Sequence, residues 1–171
     1  AMVLAQKEKV NAVLGSWGSS LSMAGGPIFA EAKIPAVAVS ATNPNVTKGN
    51  EHYFRVCFLD PFQGTVGATY AFNTLKAKKV AIIREVSNDY SVGLAKFFVD
   101  QFTKLTGDAQ AVVATADYNT GDQDFTAQLT NIKKANPDVI FAPGNYTESA
   151  LIIKQARQLG MKTPFVGGDT W

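Results

Sequence analysis

Short apolar or β-branched runs alternate along the chain with stretches in which apolar residues return every three or four positions. The runs Val10–Leu14, Ala36–Val39, Val80–Ile83, Ala111–Ala114, Val139–Ala142 and Phe165–Val166 predict strands. They are apolar almost throughout, as strands covered on both faces are, so the sheet they imply is parallel. Leu94, Phe98, Phe102 and Leu105 mark the buried face of one helix, with Gly107 as its C-terminal stop. Phe125, Leu129 and Ile132 mark another, ended by Asn136-Pro137. Asp60-Pro61-Phe62-Gln63 has the spacing of a capping box and opens a helix to about Leu75; Asn145-Tyr146-Thr147-Glu148 repeats that spacing ahead of a helix that runs to Leu159, before Gly160. Strand and helix in alternation predict an α/β fold built of βα units.

Two features complicate this rhythm. The irregular stretch Ser40 to Phe54 separates the second and third predicted strands and predicts a crossing between two lobes. Ala1–Lys9 reads as the tail of a helix whose strand is absent, and Trp171 stands where another helix should begin. The expectation is a fragment of a longer α/β protein.

In open parallel sheets, ligands bind beyond the carboxyl ends of the strands. The residues that follow each predicted strand are therefore the candidate chemistry. They are Gly15-Ser16-Trp17-Gly18-Ser19-Ser20, Ser40-Ala41-Thr42-Asn43-Pro44, Glu85-Val86-Ser87-Asn88-Asp89-Tyr90, Pro143-Gly144-Asn145-Tyr146 and Gly167-Gly168-Asp169-Thr170-Trp171. Ser19 and Ser20 offer hydroxyls at a helix N-terminus, where free N–H groups attract anions. Thr42 can add a hydroxyl and an N–H, while Asp169 can pair with an ammonium. Donors for an anion together with a carboxylate suit a zwitterion. Plainer roles stand beside these: Ser19 or Ser20, Asp60 and Asn145 can each be a helix cap, and Tyr90 and Tyr146 can be half-buried packing residues. Trp17, an indole between serine and glycine in a loop, calls for something to pack on.

Composition changes the picture mainly by exclusion. The chain has 171 residues, 46% hydrophobic and 18% charged, which fits a globular α/β protein and excludes disorder. The net charge of +2 is scattered, and the densest basic stretch, Lys76 to Lys79, falls at a helix end, so no nucleic-acid surface is expected. A single cysteine, Cys57, and a single histidine, His52, leave no internal disulfide and no metal site; Cys57 is expected as a small buried apolar residue and His52 on a loop. No signal peptide opens this segment. Ser19 lacks an evident base, Asp124 and Glu148 form no recognisable acid–base pair, and nucleophile-elbow, Walker A and dinucleotide-binding patterns are missing. No catalytic residue and no cofactor are expected, and the protein does not read as an enzyme.

The motifs occur in a telling order. Val13-Leu14-Gly15 with Ser19-Ser20 precedes Ser40 to Pro44, then Phe54-Arg55 with Asp60 and Gln63, then Asp89-Tyr90-Ser91-Val92-Gly93. Gln155 to Gly160 and Gly167 to Trp171 close the set. In this ordered set the chain resembles the type I periplasmic binding proteins of branched-chain amino-acid ABC transporters, and the related ligand-binding domains of metabotropic glutamate receptors.

That resemblance implies Rossmann-like parallel sheets in two lobes, with residues 1–55 in part of lobe one and 56–171 in most of lobe two. It implies that Ser19, with Ser20 and Thr42, binds a ligand carboxylate, and that the Ser40 carbonyl and Thr42 hydroxyl, flanking Ala41, receive its ammonium. Tyr90 then closes over the ligand and Asp169 is the main counter-ion. Asn145 or Tyr146 adds a contact, Asp60 is a minor candidate, and Trp17 narrows the pocket. The implied protein is an extracytoplasmic solute-binding component of an ABC importer, periplasmic or lipid-anchored, with a free amino acid and membrane permease subunits as partners. A sensory domain, an amide, urea or sugar binder on the same scaffold, and an α/β hydrolase or transferase are the alternatives.

Overall fold

The computed structural model describes all 171 residues, which form two compact units, Ala1–Asp60 and Pro61–Trp171. The first unit carries a three-stranded parallel sheet of β1 (Val13–Leu14), β2 (Ala36–Ala38) and β3 (Tyr53–Arg55), in that order. Helix α1 (Ser19–Glu31) connects β1 to β2, and a short π-helical segment, Val3–Lys7, precedes them. Its core gathers Phe29, Ile34, Ala36, Ala38, Val46 and Tyr53. An apolar hollow of about 600 Å³, lined in part by Met2, Leu14, Leu21, Ile28 and Phe29, lies on the same unit.

Helix α2 (Asp60–Asn73) leads into the second unit, whose four-stranded parallel sheet comprises β4 (Val80–Glu85), β5 (Val112–Tyr118), β6 (Val139–Phe141) and β7 (Phe165–Val166). Helices α3 (Asp89–Thr106), α4 (Thr126–Ala135) and α5 (Tyr146–Gln158) join them. The order is β5-β4-β6-β7, so the chain turns to one side of β4 to form β5 and to the other to form β6 and β7. The crevice at that reversal, beyond the carboxyl ends of β4 and β6, is where such sheets place ligands.

The helical spacings act as the sequence requires. Leu94, Phe98 and Phe102 of α3 are fully buried with Val80, Ile82 and Phe141 in one core layer, where the Phe98 and Phe141 rings stack at 3.9 Å. Phe125, Leu129 and Ile132 are buried with Ala81, Ile83, Ile140 and Ile152 in the layer on the other face. The central strands β4 and β6 are thus covered on both sides, which is why they read as unbroken apolar runs.

Several expectations need correction. The first strand begins at Val13, not Val10; Lys9, just upstream, has a positive φ of 50°. β3 falls in a stretch read as irregular, because Tyr53 and Arg55 carry polar groups that mask a strand pattern. β5 runs on to Tyr118 through alternating exposed and half-buried residues, the pattern of an edge strand. Cys57 is half-buried and not part of a core.

Candidate functional site

In the first unit, the carboxyl end of β2 runs into residues 39–43, and that loop meets the start of α1. Gly18, in a positive-φ conformation, is the N-cap of α1, so Ser19 is its first helical residue. Ser19 makes no capping bond; its buried Oγ accepts the N–H of Asn43 at 3.2 Å. The capping role open to Ser19 in the sequence gives way to a tie between α1 and the 39–43 loop. Ser20, beside it, is half-buried.

The loop itself is held from behind by Arg55 on β3. Its guanidinium donates to the carbonyls of Ala41 at 2.5 Å and Asn43 at 3.0 Å, and to the Thr47 hydroxyl at 3.2 Å. Three oxygens gathered on one planar cation fix the loop's course. Ala41 and Thr42 are buried, and the side-chain hydroxyls of Ser40 and Thr42 are inaccessible and have no hydrogen-bond partner. Buried hydroxyls in this condition are uncommon and ask for an explanation. Trp17 is 53% exposed, so its indole is largely uncovered in this unit. Asp60 is fully buried and is itself the first residue of α2, with its N–H bonded to the Thr42 carbonyl at 3.1 Å.

In the second unit, the structure brings Tyr90 and Asp169 together. The Tyr90 hydroxyl donates to Asp169 Oδ1 at 2.8 Å. Gln63, in the first turn of α2, donates to the same oxygen at 2.9 Å and accepts the Asp169 N–H at 2.8 Å. Its amide therefore grips backbone and side chain of Asp169 at once. Both donors converge on Oδ1, which leaves Oδ2 of this exposed carboxylate unengaged. Thr170 donates to the Gly144 carbonyl at 2.9 Å and pins the β7 loop to the β6 loop. A methyl group at Gly168 would overlap the Tyr90 hydroxyl and come within 2.8 Å of Gln63 Oε1, so this close approach needs glycine.

The Asn145-to-Glu148 capping box is not formed. Asn145 occupies the N-cap of α5 but makes no capping bond; its amide donates to Glu85 Oε2 at 3.3 Å. Glu148 accepts the N–H of Gly121 at 3.0 Å, so both side chains serve the loop network around the sheet edge. Tyr146, by contrast, is 65% exposed. The Thr126 hydroxyl, and after it the Thr126 N–H that Asp124 accepts at 2.9 Å, lower the Asp124 carboxyl pKa and give it a local turn-forming task.

Gln63 and Arg55 are the residues to which sequence reading assigned no such task. Gln63 lies 106 positions from Asp169, and no local pattern signals a pairing at that separation. Among the side chains of the structure, no group of three or more His, Cys, Asp or Glu residues could hold a metal ion. No helix is long and apolar enough to cross a membrane.

The chain is similar to several known proteins along almost its whole length. A family model described as periplasmic binding protein matches residues 1–171. An amino acid binding protein of Pseudomonas aeruginosa is 34% identical over 167 residues, covering 97% of this chain and 44% of that protein. The leucine binding protein LivK of Thermotoga maritima superposes with a TM-score of 0.92 at 44% identity, covering 99% of this chain and 47% of that one. LivJ of Streptococcus pneumoniae, a branched-chain amino acid transporter substrate binding protein in complex with isoleucine, gives 0.89 at 36% identity over 99% of this chain and 47% of its own. The chain thus spans a little under half the length of the relatives it matches. On a family match along its whole length and a shared parallel α/β architecture, the chain belongs to the periplasmic binding protein family, among the type I members related to branched-chain amino-acid transport.

Proposed function

We propose that this chain is part of the solute-binding component of an ABC importer, working outside the cytoplasm and delivering a free amino acid, small or branched-chain, to membrane permease subunits. The observation that carries the reading is Asp169. Gln63 and Tyr90 occupy one carboxylate oxygen and leave the other, Oδ2, for a cation. A primary ammonium is the cation an α-amino acid offers, and a charge-assisted bond to a pre-oriented carboxylate is the strong kind.

In this reading Ser19, Ser20 and Thr42 bind the ligand's carboxylate. The Ser40 carbonyl and the Thr42 hydroxyl join Asp169 around the ammonium, Ala41 lies between them, and Tyr90 covers the ligand. Tyr146 supplies a further contact, since the Asn145 amide is committed to Glu85. Trp17 limits the side-chain space, and Asp60 sits behind the Thr42 backbone. The partnerless hydroxyls of Ser40 and Thr42 support the assignment. Binding works by ligand-stabilised hinge closure: a ligand that favours the closed form shifts the equilibrium by its differential affinity.

The test is calorimetric titration of the proteinogenic amino acids into the full-length protein. Leucine, isoleucine or valine is expected to bind, and Asp169→Ala to weaken that binding by about 2–5 kcal/mol, the usual effect of truncating one partner of a desolvated charge pair. An unchanged dissociation constant removes Asp169 from the site. Tight binding of only bulky basic or aromatic amino acids removes the small-pocket assignment.

A further inference from the structure

Glu85 is the last residue of β4, at the point where the strand order reverses, and it is 1% exposed. A carboxyl group in such a place costs free energy unless donors surround it. It has three, each from a different loop at the carboxyl edge of the sheet. Asn88, from the β4–α3 loop, donates to Oε2 at 3.1 Å. Asn145, from the β6–α5 loop, donates to the same oxygen at 3.3 Å. The Thr120 hydroxyl, from the β5–α4 loop, donates to Oε1.

One of these partners leads straight to the candidate site. Asn88 is the N-cap of α3, and its Oδ1 accepts the N–H of Tyr90 at 3.1 Å. Its amide nitrogen is the end held by Glu85, so the orientation of the whole amide is set by that carboxyl group. On the other side of Tyr90, Ser91 accepts the Glu85 N–H at 2.9 Å. Glu85 therefore grips the residues that flank Tyr90, by its side chain through Asn88 and by its backbone through Ser91. The hydroxyl at the far end of Tyr90 is the group that meets Asp169.

We infer that Glu85 is a positioning residue for ligand binding: acting through Asn88, it sets the start of α3 so that the Tyr90 hydroxyl reaches Asp169, and it draws the Asn145 amide away from the ligand. Glu85 touches no ligand itself. Its role rests on the amino-acid-binding reading above, although its hold on Tyr90 does not.

Two measurements on the full-length protein separate these points. With 3-fluorotyrosine installed at position 90, fluorine NMR reports the ring's surroundings without any ligand. Glu85→Gln replaces the charged acceptor of the Asn88 amide by a neutral one, and Asn88→Ala removes the link; both are expected to shift the resonance. Asn88 is half-buried, so that variant carries the test if Glu85→Gln does not fold. In isoleucine titrations, Glu85→Gln is expected to weaken binding by about tenfold, and by no more than about twofold in the Tyr90→Ala background, because coupled residues are not additive. An unmoved resonance in the variants that fold, or an equal loss in both backgrounds, overturns the inference. Absence of isoleucine binding to the unsubstituted protein, alongside a shifted resonance, rejects the functional reading and upholds the hold of Glu85 on Tyr90.

Discussion

Tyr118 shows how much one side chain can report about its surroundings. It ends β5, is 2% exposed, and its hydroxyl has no hydrogen-bond partner. Burial, and after it the nearby carboxyl groups of Glu85 and Glu148, push its pKa well above the ordinary tyrosine value. The native state therefore keeps the phenolic proton at pH values where the unfolded chain has released it. Where the unfolded state binds fewer protons, stability falls as pH rises. The contribution is flat below about pH 10, the unperturbed tyrosine pKa, and declines above it. Tyr118→Phe is expected to unfold along a flatter curve above that pH. At neutral pH it should be neutral or slightly stabilising, since an unsatisfied buried hydroxyl is removed. Denaturant unfolding of both proteins at neutral and alkaline pH checks the two expectations; a steeper alkaline loss in the variant contradicts the first.

At the scale of elements, the two ends of α3 are fixed by different physics. Asn88 caps the N-terminus, and Gly107 ends the helix in a left-handed conformation at φ 68°, with its N–H bonded to the Thr103 carbonyl at 3.0 Å. A side chain there meets no steric neighbour, so the cost of one is purely conformational. Gly107→Ala is expected to destabilise the second unit by about 1 kcal/mol, the penalty of holding a residue with a Cβ at positive φ. Thermal unfolding measures it, and an unchanged midpoint contradicts the assignment. Such signals are local, which is why this helix was legible in advance. Asn145 does stand at the N-cap of α5, but its capping-box bond does not form for the same reason: the spacing is local, and Glu85, 60 positions away, competes for the amide. β3 was missed because it draws its place from pairing with β2, through the register Val37 to Phe54, and not from its own pattern.

At the scale of the whole molecule, two sheets with separate cores divide the chain, and each carries part of the candidate chemistry. In the second unit, Phe98 stacks on Phe141 and, at 5.8 Å, on Phe102. Phe98→Ala is expected to cost about 3–5 kcal/mol, the range for removing a fully buried ring. Hydrogen exchange should then show lower protection in α3, β4 and β6; unaltered protection there would refute the claim.

The sequence by itself determined the α/β class, the helices with their buried faces, and the loops in which polar residues gather, because periodicity, caps and turn residues act over a few positions. It also placed Ser19, Thr42, Tyr90 and Asp169 at strand ends, through the ordered motifs. Tertiary structure alone decided that Gln63 and Tyr90 share one oxygen of Asp169, that Arg55 binds the loop around Thr42, and that Glu85 commands three loops. Those contacts form between segments that only a folded sheet brings within hydrogen-bonding distance, and no periodicity along the chain encodes them.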